Sequence, residues 1–152
     1  MAASRRPGSP RGPLFDALAR VATRVLRWER ARRARVELAL LGPVAMRRLN
    51  RRATGRRGLT DVIAFTLPQP DGAILGDVYI CPAAARAFVM GGQADVRVRP
   101  DDRLKEELVR LVVHGTLHVL GYDHPDGPGR TRSGMWQRQE RYVRRLMGRW
   151  RA

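Results

Sequence analysis

The chain has one cysteine, one lysine and few acids, and each shortage excludes something. A single cysteine, Cys81, permits no intramolecular disulfide, which suits a reducing, cytoplasmic setting. No apolar run reaches the 18 or so residues of a transmembrane helix, so no membrane span is expected. Acidic residues number 14 against 30 basic ones, a net charge of +16. Lys105 is the sole lysine, so the excess is almost entirely arginine. A GC-rich genome would explain arginine over lysine but not the surplus itself. So large a positive charge on 152 residues favours a polyanion, and guanidinium forks match phosphates. An anionic membrane would also attract it, but no hydrophobic anchor accompanies the charge. Nucleic acid is the better partner.

With 43% hydrophobic residues the chain is globular, and its length fits one domain over residues 14–152. Residues 1–13 are rich in Pro, Gly and Arg, lack a signal-peptide core, and read as a disordered basic arm. Residues 14–33 repeat apolar positions at helical spacing, with Leu14, Leu18, Val21, Val25 and Trp28 in one stripe. Residues 35–41 suggest a strand, and Pro43 opens a short helix through Asn50. Arg51 to Gly58 is a basic loop; residues 60–67 and 73–80 read as a hairpin around Asp71-Gly72. A helix over 83–90 stops at Gly91-Gly92, and a polar linker leads to Asp101-Asp102, which cap a helix from 103 to about 120. A last helix runs from about 133 to 149, and no internal repeat is found.

All three histidines fall within eleven residues, His114 to His124, spaced H-x-x-x-H-x-x-G-x-x-H. His114 and His118 are four apart, so a helix stacks them on one face. Gly121 can take the left-handed conformation that ends a helix, and the short turn after it returns His124 toward the pair. Three imidazoles and an open fourth position are the pattern of a catalytic zinc, one per chain, since the only cysteine is remote. The plainer alternative is two hydrogen-bonded core histidines and one loop histidine. Zinc proteases place a general-base Glu directly after the first His. Here Gly115 stands there, so a metalloprotease is a weak alternative.

These motifs resemble the YbeY family of bacterial endoribonucleases, whose signature HGxLHLxGYDH is matched from His114 to His124 with Val119 for the usual Leu. Leu49-Asn50 followed by Thr60 to Phe65, Leu75 to Cys81, and Met135-Trp136-Gln137-x-Gln139-Glu140 also match, in colinear order over roughly 35–147. The resemblance implies an α/β fold: a single domain with a small mixed four-stranded sheet, about five helices and a zinc site at a helix end. It implies a single-strand-specific endoribonuclease that matures rRNA, the 3′ end of 16S rRNA, and works with the small ribosomal subunit and its assembly factors. It places zinc on His114, His118 and His124 at the end of a positive groove.

Family members often carry a groove arginine four residues after the Asn, where this chain has Thr54. Either Arg52, Arg56 or Arg57 takes over, or activity depends less on that residue. Arg51, Arg52, Arg56 and Arg57 are the candidate RNA contacts. A three-His zinc brings the pKa of a water in its open position toward about 7, and can instead polarise a phosphate oxygen. Asp123 and Glu107 are candidate proton acceptors. Glu107 lies seven residues before His114 on the same helix face and could equally orient an imidazole or suit the helix's first turns. Asp123 could equally serve a turn. Asp61 and Asp77, beside strands, fit arginine or amide partners better than substrate. The other function class compatible with the chain is an RNA-binding ribosome assembly factor with a mainly structural zinc.

Overall fold

Phe15, Leu18, Val21, Ala22, Val25 and Leu26 recur at three- and four-residue steps and form the buried side of α1 (Pro13–Trp28). The apolar stripe therefore enters through Phe15, while Leu14 stays 41% exposed. The helix stops at Trp28, short of the expected 33, because Arg30 takes a left-handed conformation at φ 55°. This is a computed structural model, and it describes residues 2–5, 12–91 and 100–151.

After α1 come β2 (Ala34–Leu40), α2 (Pro43–Thr54), β3 (Val62–Pro68), β4 (Ile74–Ile80), α3 (Pro82–Gly91), α4 (Pro100–Val119) and α5 (Gly134–Arg151). A 3-10 turn over Gly127–Arg132 precedes α5, and the Ser133 hydroxyl caps α5 by accepting the Trp136 amide at 3.2 Å. Asp101 and Asp102 lie inside the first turn of α4, where carboxylates suit the positive end of the helix dipole. Pro43 sits in the first turn of α2 as its fixed φ favours, but α2 runs on to Thr54 before Gly55 turns left-handed. Arg51 and Arg52 are thus on a helix, and the expected basic loop begins only at Gly55. Propensity explains the extension, since Arg and Ala are good helix formers.

With β1 spanning Ala2–Arg5, the sheet is mixed, in the order β1-β2-β4-β3: β1, β2 and β4 run parallel, and β3 pairs antiparallel with β4. Its fourth strand, β1 (Ala2–Arg5), lies within the segment expected as a disordered arm, beside Arg35 to Leu38 of β2. The rest of that arm, residues 6–11, and the linker at 92–99 lie outside the described residues. Side chains alternate across the strands. Val36, Leu38, Val78 and Ile80 join α1, α4 and α5 in the main core. Ala39, Ile63, Tyr79 and Cys81 face Met46 of α2 on the other side. Among the described residues no helix is long and apolar enough to cross a membrane.

Two glycines set how closely α4 lies on β4. A Cβ at Gly115 would stand 2.6 Å from Val78 Cγ1, and one at Gly76 would collide with the Val119 side chain. Each glycine leaves the space its partner valine fills, so helix and strand interlock twice. Gly115→Ala is expected to cost about 1–3 kcal/mol as an overpacked core contact. Adding Val78→Ala should recover part of that loss by opening the space. Urea denaturation of the single and double variants checks this, and strictly additive losses would contradict the interlock.

Candidate metal centre

The last two turns of α4 carry two of the three histidines, and the way that helix ends delivers the third. Gly121 sits at φ 97°; its amide donates to His118 O at 2.9 Å, and the Tyr122 amide donates to Leu117 O at 3.1 Å. These are the paired bonds of a Schellman cap, which needs a left-handed residue at that point. The chain turns back sharply, so His124 faces His114 and His118. Ring centroids are 4.5 Å apart for His114–His118 and 5.1 Å for His124 to each of the others. One ring nitrogen from each of the three lies within 4.8 Å of the others, close enough to hold one metal ion.

Each imidazole is oriented by a different oxygen. His114 Nδ1 lies 2.7 Å from Gln139 Oε1, His118 Nδ1 3.0 Å from Tyr122 O, and His124 Nδ1 3.1 Å from Pro125 O. Carbonyl oxygens only accept, so all three rings carry their proton on Nδ1 and present the Nε2 lone pair. Such outer partners fix tautomer and aim in metal sites. The donor set therefore fits a borderline metal such as zinc. Burial also favours the neutral form of the two helix histidines: it pulls His114 down to about 4 against the opposing Gln139 bond, and it lowers His118 as well.

The imidazole partner that Glu107 was one candidate to supply comes to His114 from Gln139. Gln139 is 1% exposed, and its Nε2 donates to Glu140 at 3.1 Å, which settles which end of the amide meets His114. Glu140 in turn receives Arg110 through Nε at 2.9 Å and Nη2 at 2.9 Å, and Arg110 Nη1 donates to Glu107 at 3.0 Å. Glu107 thus stands at the far end of a chain of contacts. Burial raises its carboxyl, with Arg110 opposing, and it borders a cleft that reaches His114. Asp61 borders the same cleft, also raised by burial. Asp123 is exposed and accepts the His124 amide at 2.8 Å, a turn-shaping contact. Asp77 pairs across β4 with Glu37 and Phe65 rather than reaching the histidines.

The turn itself is anchored to the first helix. Glu29, just past α1, accepts hydrogen bonds from Tyr122 OH at 2.8 Å, Tyr142 OH at 2.6 Å and Arg138 at 3.0 Å.

A groove of about 390 Å³ opens over His114 and His118, lined by Asn50, Thr54, Arg56, Thr60 and Thr66 among others. Thr54, at the position where the family's arginine was expected, does line it. Its hydroxyl lies 2.8 Å from both Asn50 O and Asn50 Oδ1 and accepts the Arg56 amide at 3.2 Å. Of the four candidate arginines, Arg56 reaches this wall, while Arg51, Arg52 and Arg57 are exposed around it. Sequence reasoning passed over Gln139 as a histidine partner and Arg130 as a cation beside His114. Gln139 lay in a matched motif, but Arg130 sits in a Gly/Pro-rich stretch with no periodicity to single it out.

A family profile described as Endoribonuclease YbeY matches residues 14–147. The Endoribonuclease YbeY of Thermotoga sp. (strain RQ2) is 31% identical over 121 residues, covering 77% of this chain and 71% of the relative. That of Anaeromyxobacter sp. (strain Fw109-5) is 40% identical over 95 residues, covering 60% and 44%. A solution structure from Thermotoga maritima superposes with a TM-score of 0.63 at 27% identity, covering 99% of this chain and 92% of that one.

Elemental analysis is expected to find one tightly held metal ion per chain, lost in His114→Ala with His118→Ala. Gln139→Met should weaken metal affinity about ten- to hundredfold in a chelator competition, as loss of such partners does. The metal-free fold should also respond to pH. His114 titrates near 4 when folded against an ordinary 6.5, so its contribution is fully present above about 6.5 and is lost as pH falls toward 4. Denaturation midpoints on either side of that window check it, and His114→Gln should flatten the slope.

Proposed function

The chain belongs to the YbeY family of endoribonucleases, and on that premise we propose that it cleaves single-stranded RNA at a zinc ion held by His114, His118 and His124. Its substrate in this reading is rRNA of the small ribosomal subunit, cut at the 3′ end of 16S rRNA in the cytoplasm beside the assembly factors. The observation that carries the reading is the convergence of three imidazoles, two of which, His114 and His118, line a groove that Arg56 walls. A closed structural site would have no reason to face such a groove.

Zinc held there supplies positive charge toward a phosphate oxygen and makes hydroxide available at neutral pH. The chain's own groups do the rest. Arg56 offsets charge developing on the phosphoryl oxygens in the place the Thr54 side chain leaves open. The hydroxyls of Thr60 and Thr66 line the path of the sugar-phosphate backbone. Glu107, raised by burial in the adjoining cleft, is better placed to carry a proton than Asp123, whose carboxylate is turned to the His124 amide. The protease base that follows the first histidine has no place here, because Val78 fills the space any side chain at 115 would need.

Rigorously purified protein should cut single-stranded RNA and spare duplex, and His114→Ala should abolish cutting. Arg56→Ala should lower kcat/KM about tenfold or more, with Thr54→Arg restoring activity in that background and metal content unchanged. Neutralising Arg51, Arg52, Arg56 and Arg57 together should flatten the dependence of RNA affinity on salt. Tight RNA binding without any cleavage would favour an assembly factor with a structural metal.

A further inference from the structure

A second cleft, of about 450 Å³, adjoins the Arg56 groove at His114. Its walls come from three helices: Phe88 of α3, Leu111 of α4 and Trp136 of α5, with Arg130 at the rim and Glu107 deeper. The two clefts meet at His114, which lines both. Their chemistry differs. The first is lined by threonines and Arg56, suited to a sugar-phosphate backbone; the second sets two aromatic rings, Phe88 and Trp136, among charged groups, with Arg110 and Arg130 beside Asp61, Glu107 and Glu140.

Among the described residues, little of the packing covers the two rings. Phe88 is 66% exposed on a ten-residue helix, and Trp136 is only half-buried although its neighbours Met135 and Gln139 are enclosed. The Arg130 guanidinium lies over the Trp136 ring, 5.8 Å from its centroid, so a cation accompanies one face of the ring. Exposed aromatics flanked by arginines are how proteins hold unpaired bases, because every base offers a π-face and a phosphate close by. The cavity also falls in the size range of small-molecule sites, enough for one nucleotide and too little for a duplex.

We propose that this cleft holds one nucleobase of the bound RNA, stacked on Trp136 and flanked by Phe88, so that the neighbouring phosphate is delivered to the three histidines. Arg130 meets the phosphate on the outer side of that nucleotide. A paired base cannot turn out of its helix into the cleft without unstacking, so the pocket itself selects single strands. This rests on the endoribonuclease reading for its substrate and adds the element that positions it.

The test uses the full-length, metal-loaded protein and a fluorescently labelled single-stranded RNA read by anisotropy, so binding is measured apart from cleavage. Trp136→Ala should raise Kd roughly ten- to hundredfold, while Trp136→Phe, which keeps a stacking face, should stay within a few-fold of the parent. Unchanged metal content and circular dichroism show that the site is intact. An RNA series with one abasic nucleotide moved along the strand should show one position that weakens binding by the same factor. On that RNA, Trp136→Ala should bring no further loss. A flat abasic profile, additive losses, or Phe behaving like Ala would overturn the proposal. If Trp136→Ala does not fold, the abasic series on the unaltered protein decides alone. RNA that binds with one sensitive position yet is never cut would overturn the nuclease reading and leave the base cleft standing.

Discussion

The site depends on how deeply α4 beds into the sheet, and that depth is set where side chains are missing. At Gly76 the strand gives way to Val119, and at Gly115 the helix gives way to Val78. The two contacts lie one helical turn apart and bracket His118, with His114 immediately before the first. Thr66 of β3 adds a clamp, its hydroxyl 3.3 Å from His118 O and 3.2 Å from Val119 O. A helix riding even one side chain higher would lift two imidazoles away from the groove walled by β3 and α2. Val119 belongs to this arrangement: a short β-branched side chain fills the hollow over Gly76.

What the sequence made legible follows from distance along the chain. The histidine spacing, the helix stop at Gly121 and the hairpin around Asp71-Gly72 are local, and each came through because a few neighbouring residues decide it. Gln139 did not, since its contact with His114 spans 25 residues and exists only because α5 packs on α4. Glu107 was read for the right helix face but the wrong neighbour: Arg110, one turn on, claims its carboxylate first. The strand at Ala2–Arg5 was hidden for a different reason, because an edge strand of four residues has too little apolar alternation to register against its Pro- and Gly-rich surroundings. Arg56 could be nominated from sequence but not chosen over its neighbours. The left-handed turn at Gly55 makes that choice by swinging the chain back over the groove.

The charge distribution is more ordered than a net +16 suggests. Several acids are spent on interior ties. Glu140 and Glu107 hold Arg110, and burial pushes Glu140 up while the bonds from Arg110 and Gln139 win and hold it below its usual value. Glu29 gathers two tyrosines and Arg138. Other carboxylates, Asp71, Asp101, Asp102 and Asp123 among them, stay exposed, yet the surplus of arginine keeps the described surface strongly positive.

The three oxygens that aim the histidines come from three places, and this has a consequence for when the site exists. One is the turn after α4, one is Pro125, and one is Gln139 on α5; the turn is moored through Tyr122 to Glu29 at the end of α1. During synthesis α1 emerges early and α5 last. A nascent chain that has exposed all three histidines still lacks the amide that orients the first and the packing that holds the turn. The full set of contacts that aim the histidines therefore forms only once α5 packs on α4, and a chain made only as far as His124 carries the three imidazoles unaimed.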